Sequence, residues 1–152
     1  MDYSHTQKGR LHLILYAAAA LMLGFMWLPG TPLVAAVALG AAAAVMVLCA
    51  QAFQTLTVED EGQRLAIRFG PLPLFSKRIP YDRITDVKPG RSSFIDGWGI
   101  HYIPGRGWTY NLWGYDCVEV RLGKKVIRIG TDDVAGLAAF LQSKIQEIQG
   151  PR

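Results

Sequence analysis

Residues 11–53, LHLILYAAAALMLGFMWLPGTPLVAAVALGAAAAVMVLCAQAF, contain no Asp, Glu, Lys or Arg. They divide into two apolar runs, 11–28 and 32–53, parted only by Pro29-Gly30-Thr31-Pro32. A membrane-spanning helix needs about 20 mostly apolar residues, because the hydrocarbon core is ~30 Å thick and a helix rises ~1.5 Å per residue. Lipid offers no hydrogen bonds to the backbone. Both runs are therefore expected to be helical, with the short connection at the far interface and Trp27 anchoring there. The expectation is a transmembrane hairpin, followed from Gln54 by one small polar domain.

Lys and Arg set the orientation. Lys8 and Arg10 precede the first run, the turn carries no basic residue, and Arg64, Arg68, Lys77 and Arg78 follow the second. The positive-inside rule then puts both termini and the C-terminal domain in the cytoplasm. A cleaved signal peptide would use Lys8 and Arg10 as its n-region and Ala17 to Ala20 as its cleavage site, but the apolar run continues through Leu28 and a second follows at once. Ala20 and Gly24, and then Ala36, Gly40 and Ala44, recur every four residues, a spacing that lets the two helices pack closely. His12 is expected to snorkel at the cytoplasmic end of its helix.

Outside the hairpin lie a polar segment, residues 1–10, expected to be disordered or to lie along the interface, and residues 54–152, a length suited to one domain. That domain carries 14 Lys and Arg against 11 Asp and Glu, a net charge of +3. The excess is modest and dispersed, with no helix-turn-helix pattern or basic stripe, so nucleic acid is not an expected partner. Cys49 and Cys117 fall in different elements and in no metal-ligand spacing, so neither a disulfide framework nor a metal or other cofactor is expected.

From Thr55 the apolar period changes to two. Leu56 and Val58, then Leu65, Ile67 and Phe69, flank the turn Asp60-Glu61-Gly62-Gln63 and predict a β-hairpin ending at Gly70-Pro71-Leu72-Pro73. A third strand is expected from Phe75 to Ile79, with Pro80 marking an edge, and the apolar pattern continues through Tyr81, Ile84 and Val87 to a break at Pro89-Gly90. Strands 97–103 and 107–112 are joined by Pro104-Gly105-Arg106-Gly107, and two more, 117–122 and 125–129, turn at Gly123-Lys124. A final helix, 132–149, is capped by Thr131 or Asp132 and stopped by Gly150-Pro151, with Val134, Leu137, Ala138, Leu141, Ile145 and Ile148 as its apolar stripe. The fold class is a membrane-anchored α+β protein: two transmembrane helices, then six or seven antiparallel strands closed by the C-terminal helix.

That order of elements resembles the bacterial pleckstrin-homology-like domains. The likeness is carried by Arg68-Phe69-Gly70, by Arg78-Ile79-Pro80-Tyr81-Asp82-Arg83-Ile84, by Gly97-Trp98-Gly99-Ile100 and by Ile129-Gly130-Thr131-Asp132-Asp133 leading into the helix. The resemblance implies a strongly bent sheet closed by a helix, used as a non-enzymatic binding scaffold and often tethered to membranes, here expected to be the bacterial inner membrane. Eukaryotic members that bind phosphoinositides cluster Lys and Arg around the first hairpin loop. Here that loop is Glu59-Asp60-Glu61-Gly62-Gln63, an acidic turn that repels a phosphorylated headgroup.

Two surfaces are candidates for function. Arg106, Trp108, Trp113 and Tyr115 combine the residue types enriched at binding hot spots and are expected to dock a partner protein, an integral membrane protein or membrane complex. Lys77, Arg78, Arg83, Lys124 and Lys125 are the candidates for contact with anionic lipid. For chemistry, the nearest constellation is Cys117 with His101 and Asp96 or Asp116, whose spacing gives no nucleophile and base arrangement, and Gly105-Arg106-Gly107 lacks the rest of a dinucleotide fingerprint. No small-molecule substrate is evident. The expected function is a membrane-tethered interaction or assembly module, an accessory subunit rather than an enzyme, with a lipid-sensing module as the alternative.

Overall fold

The computed structural model describes residues 2–72, 74–93 and 97–149. Two apolar helices, α1 (Leu11–Met26) and α2 (Leu33–Ala52), form the hairpin. Among the described residues only α2 is long and apolar enough to cross a membrane: it has 20 residues, a mean hydropathy of 2.6, and 11% of its apolar window buried, so it is not a core helix. The expectation of two full spans is therefore met by one. With 16 residues α1 is about 24 Å long, short of the ~30 Å hydrocarbon core. Its end is set by tightening: Trp27 N–H donates to the Gly24 carbonyl and Leu28 N–H to that of Phe25, both at 3.2 Å, before Gly30 turns the chain at φ +85°.

The small residues divide differently from their sequence spacing. Ala19, Ala43 and Ala50 are buried, whereas Ala20, Gly24 and Ala44 are exposed. A Cβ on Gly40 would lie 3.3 Å from Met26 Sδ, and one on Gly24 would meet nothing. The four-residue recurrence of Ala20 and Gly24 thus runs along the outer face of α1. His12 lies one turn from Tyr16, which accepts a hydrogen bond from Gln51 at 2.6 Å.

Residues 4–8 are a strand, correcting the expectation of a disordered leader. β1 (Ser4–Lys8) pairs antiparallel with β2 (Thr55–Asp60), from Ser4 opposite Glu59 to Lys8 opposite Thr55. The segment is too polar to signal a strand by periodicity, and its pairing is made by an edge 50 residues away. β2 continues into β3 (Arg64–Gly70) and β4 (Ser76–Pro80), giving a four-stranded antiparallel sheet in the order β1-β2-β3-β4. Pro80 closes an edge strand, as its missing N–H requires. A 3-10 turn, Tyr81–Arg83, leads to the second sheet.

That sheet comprises β5 (Asp86–Arg91), β6 (Gly99–Ile103), β7 (Gly107–Asn111), β8 (Asp116–Leu122) and β9 (Lys125–Gly130), in the order β5-β8-β9-β7-β6. β5 passes through Pro89-Gly90 instead of breaking there, because it too is an edge and Pro89 stands opposite Val118 without needing a donor on its outer side. The described residues therefore hold nine strands in two sheets, and one pairing is parallel: Trp108 to Tyr110 of β7 run alongside Ile127 to Ile129 of β9. The tight turn at Gly123 keeps β9 on β8, and β7 takes the free edge of β9.

Both sheets and α3 (Val134–Gln149) share one core, with Leu56, Ile67, Phe69, Tyr81, Ile84, Val118, Ile129, Leu137 and Leu141 almost fully buried. α3 starts two residues later than its composition predicts, because the cap is Asp133: its carboxylate accepts the Gly136 N–H at 3.0 Å, and Thr131 Oγ accepts that of Asp133. Ile148, at the end of the predicted stripe, is exposed. The expected stop at Gly150-Pro151 lies outside the described residues.

Candidate functional site

The turn between β6 and β7 is built by close backbone approach. Arg106 N–H donates to the Ile103 carbonyl at 3.0 Å, and Gly107 adopts φ +90° with its Cβ position only 2.1 Å from the Val126 carbonyl oxygen. A side chain there would collide with β9. From behind, Arg128 donates to the Arg106 carbonyl at 2.6 Å and to Glu119 at 2.8 Å, which fixes the turn to the parallel pair. Sequence reasoning missed Arg128, since an arginine flanked by Ile127 and Ile129 in a strand reads as the solvent face, yet it is 8% exposed.

This turn forms the rim of two adjoining hollows of about 410 and 530 Å³ that share Trp108, Lys124 and Lys125. Tyr102 and Arg106 line the first, Lys77 and Arg83 the second. Trp108 and Tyr102 are cross-strand neighbours, rings 5.6 Å apart, and both are exposed. Among the described residues the groove thus presents two aromatic rings and five cationic side chains, with no Asp or Glu in its lining. Lys77, Arg83, Lys124 and Lys125 form no ion pair among the described residues. An anionic group entering here meets converging charge and flat apolar surface.

The two candidate sets of the sequence are therefore redistributed. Arg106 and Trp108 join Lys77, Arg83, Lys124 and Lys125. Trp113 and Tyr115 do not, because they lie beyond the far end of β7, at whose start Arg106 and Trp108 stand. Trp113 stacks on Trp98 with ring centres 4.1 Å apart, and its carbonyl accepts from Gln7 at 3.1 Å. Tyr115 lies beside this pair in the chain, exposed, with its carbonyl accepting from Ser92.

Arg78 is also elsewhere. It donates to Glu61 at 3.0 Å, alongside Arg64 at 2.7 Å and Arg68, so one carboxylate gathers three guanidinium groups. Those hydrogen bonds, Arg64 first, overcome desolvation and bring Glu61 from its ordinary 4.5 to about 2. The acidic turn is thereby neutralised. Asp60, buried beside it, would be raised by desolvation, but bonds from Tyr81, the Gly62 N–H and Lys144 hold it below its usual value.

Of the nearest nucleophile-and-base constellation, His101 stands on β6 and Cys117 on β8, with β9 and β7 between them in the sheet. Cys117 is buried in β8, Asp116 next to it is exposed, and Asp96 lies outside the described residues. Among the described residues no group of three His, Cys, Asp or Glu side chains is placed to hold a metal. Compared with known proteins, the chain matches no family model and no curated sequence.

Proposed function

We propose that the protein is a non-enzymatic recognition module of the bacterial pleckstrin-homology-like type, tethered to the inner membrane by the α1–α2 hairpin with both termini and the domain on the cytoplasmic side, where its groove holds anionic lipid headgroups. The convergence of Lys77, Arg83, Lys124 and Lys125 on Trp108, with no Asp or Glu among the described residues that line the groove, carries the reading. Two sheets sharing one core with α3 support the family assignment. In this arrangement both helices cross, the short α1 aided by Trp27 and by local thinning of the bilayer. Cationic residues next to an anionic leaflet contribute about 1 kcal/mol each, and the attraction fades within a Debye length of ~8 Å at physiological salt.

A second reading, an accessory subunit docking a membrane partner protein, is favoured by the stacked Trp98–Trp113 pair with the exposed Tyr115 beside it. One experiment separates the two. Full-length protein is extracted in mild detergent at low and high salt, and its companions are identified by mass spectrometry. The groove reading expects co-purifying anionic phospholipid that falls several-fold at high salt and in Lys124→Ala/Lys125→Ala. Unchanged lipid in that variant, together with a stoichiometric protein that survives high salt and is lost in Trp113→Ala, would replace it with the docking reading.

A further inference from the structure

The apolar segment joining β3 to β4 is not used by the groove. From Gly70 to Ser76 the chain carries no charged residue, and three of its side chains are open: Leu72 is 38% exposed, Leu74 59% and Phe75 38%. Single exposed apolar residues are ordinary on any protein surface. Three within four positions form a patch, and this patch has a defined place.

That place is the root of α2. Phe53, the residue that ends the helix, stacks on Phe75 with ring centres 5.4 Å apart and 25° between planes, and meets Phe69 edge-on at 5.1 Å. Backbone bonds hold the same corner: Gln54 N–H donates to the Gly70 carbonyl at 3.2 Å, Phe69 N–H to that of Phe75 at 3.0 Å, and Leu74 N–H to that of Leu72 at 2.8 Å. The loop is therefore anchored at the C-terminal end of α2, a helix that leaves Val45, Val47 and Leu48 exposed. Lys77 follows two residues later, at the edge of the cationic groove.

We propose that this loop is a membrane contact in its own right, seating Leu72, Leu74 and Phe75 in the boundary between headgroups and acyl chains beside α2. The occupant of the patch is lipid. An apolar patch packed at the root of a membrane helix and bordered by a lysine has the composition of an interfacial anchor, which settles about 5–10 Å into that boundary. Its effect is orientation: with α2 and the loop both immersed, the domain cannot swivel about Gln54, and the groove is held facing the headgroup layer.

The inference rests on the reading that α2 crosses the membrane, and the test separates the two. In a Cys49→Ala background, with Cys117 only 1% exposed, single cysteines are placed at Leu74 in the loop, at Val45 on the outer face of α2, and at Gln63 on the opposite end of the first sheet. Each is labelled with an environment-sensitive fluorophore and reconstituted in phosphatidylcholine/phosphatidylglycerol vesicles carrying spin-labelled lipid. The expected result is several-fold stronger lipid quenching at positions 74 and 45 than at 63, with iodide quenching in the reverse order. Quenching at 45 but not at 74 overturns the loop contact alone. A label at 74 shielded from iodide yet not quenched by lipid also overturns it, in favour of a covering protein such as a second copy. Lack of lipid quenching at 45 overturns both readings.

Discussion

At the scale of single residues, the groove depends on a glycine that the sequence marked only as a turn. Gly107 combines a left-handed backbone with a Cβ position 2.1 Å from a carbonyl oxygen of β9, an atom that cannot yield without breaking the parallel pair. Gly105, two residues earlier, has φ +78° and open space around it. Gly105→Ala is expected to cost about 1–2 kcal/mol, the left-handed strain alone. Gly107→Ala adds the collision and should cost about 2–4 kcal/mol. Thermal unfolding of the two variants in detergent checks the difference, and equal midpoints would mean that β7 does not approach β9 so closely. The turn itself was legible from Pro104-Gly105-Arg106-Gly107. Its second constraint was not, because Val126 enters the contact only once β7 takes the parallel edge.

At the scale of elements, the first hairpin shows how a local pattern acquires an unexpected electrostatic meaning. The alternation of Leu65, Ile67 and Phe69 predicted β3, and the same alternation leaves Arg64 and Arg68 beside the turn, where Glu61 meets both, while Arg78 arrives from β4. A carboxylate held near 2 in the folded protein, against 4.5 when unfolded, contributes stability that is complete above about 4.5 and is lost as pH falls toward 2. Melting midpoints of the wild-type protein should therefore decline through that acid window. Glu61→Gln should start lower at neutral pH and decline less, the difference between the two curves isolating Glu61 from other carboxylates. Parallel slopes would show that the arginine cluster does not form in solution.

At the scale of the whole molecule, the N-terminal strand closes the structure that the C-terminal helix begins. Tyr3 stacks on Phe140 at 5.2 Å and donates to Asp133 at 3.1 Å, next to the carboxylate oxygen that caps α3, and burial followed by the Asp133 bond raises its phenol well above its ordinary value. Lys144 on α3 reaches back to Asp60 at 3.3 Å, and Tyr81 donates to the same carboxyl at 2.8 Å. Chain start, first hairpin and last helix are thus one unit at the end of the first sheet that points away from α1 and α2. At the other end of β1, where the chain enters α1, a Cβ on Gly9 would lie 2.6 Å from the Leu112 side chain. Tyr3→Ala is expected to lower stability by about 2 kcal/mol, and Tyr3→Phe, which keeps the ring stack, by about 1 kcal/mol. Melting of both variants measures this, and a neutral Tyr3→Ala would make β1 an ornament of the sheet edge.

By itself the amino-acid order determined what a local period can carry. The uncharged run from Leu11 to Phe53 dictated a helical hairpin, the two-residue alternation from Thr55 dictated strands, and the spacing of Leu137, Ala138 and Leu141 dictated the covering helix, because each depends only on neighbours a few positions away. Tertiary structure alone decided which edges meet. Polar β1 is a strand because β2 offers it an edge, and β7 runs parallel to β9 because β8 already occupies the other side. Lys77, Arg83, Trp108 and Lys124 become one surface only when both sheets fold onto a common core. Those pairings join residues tens of positions apart, and the burial that selects them is a property of the packed chain, invisible to any window of its sequence.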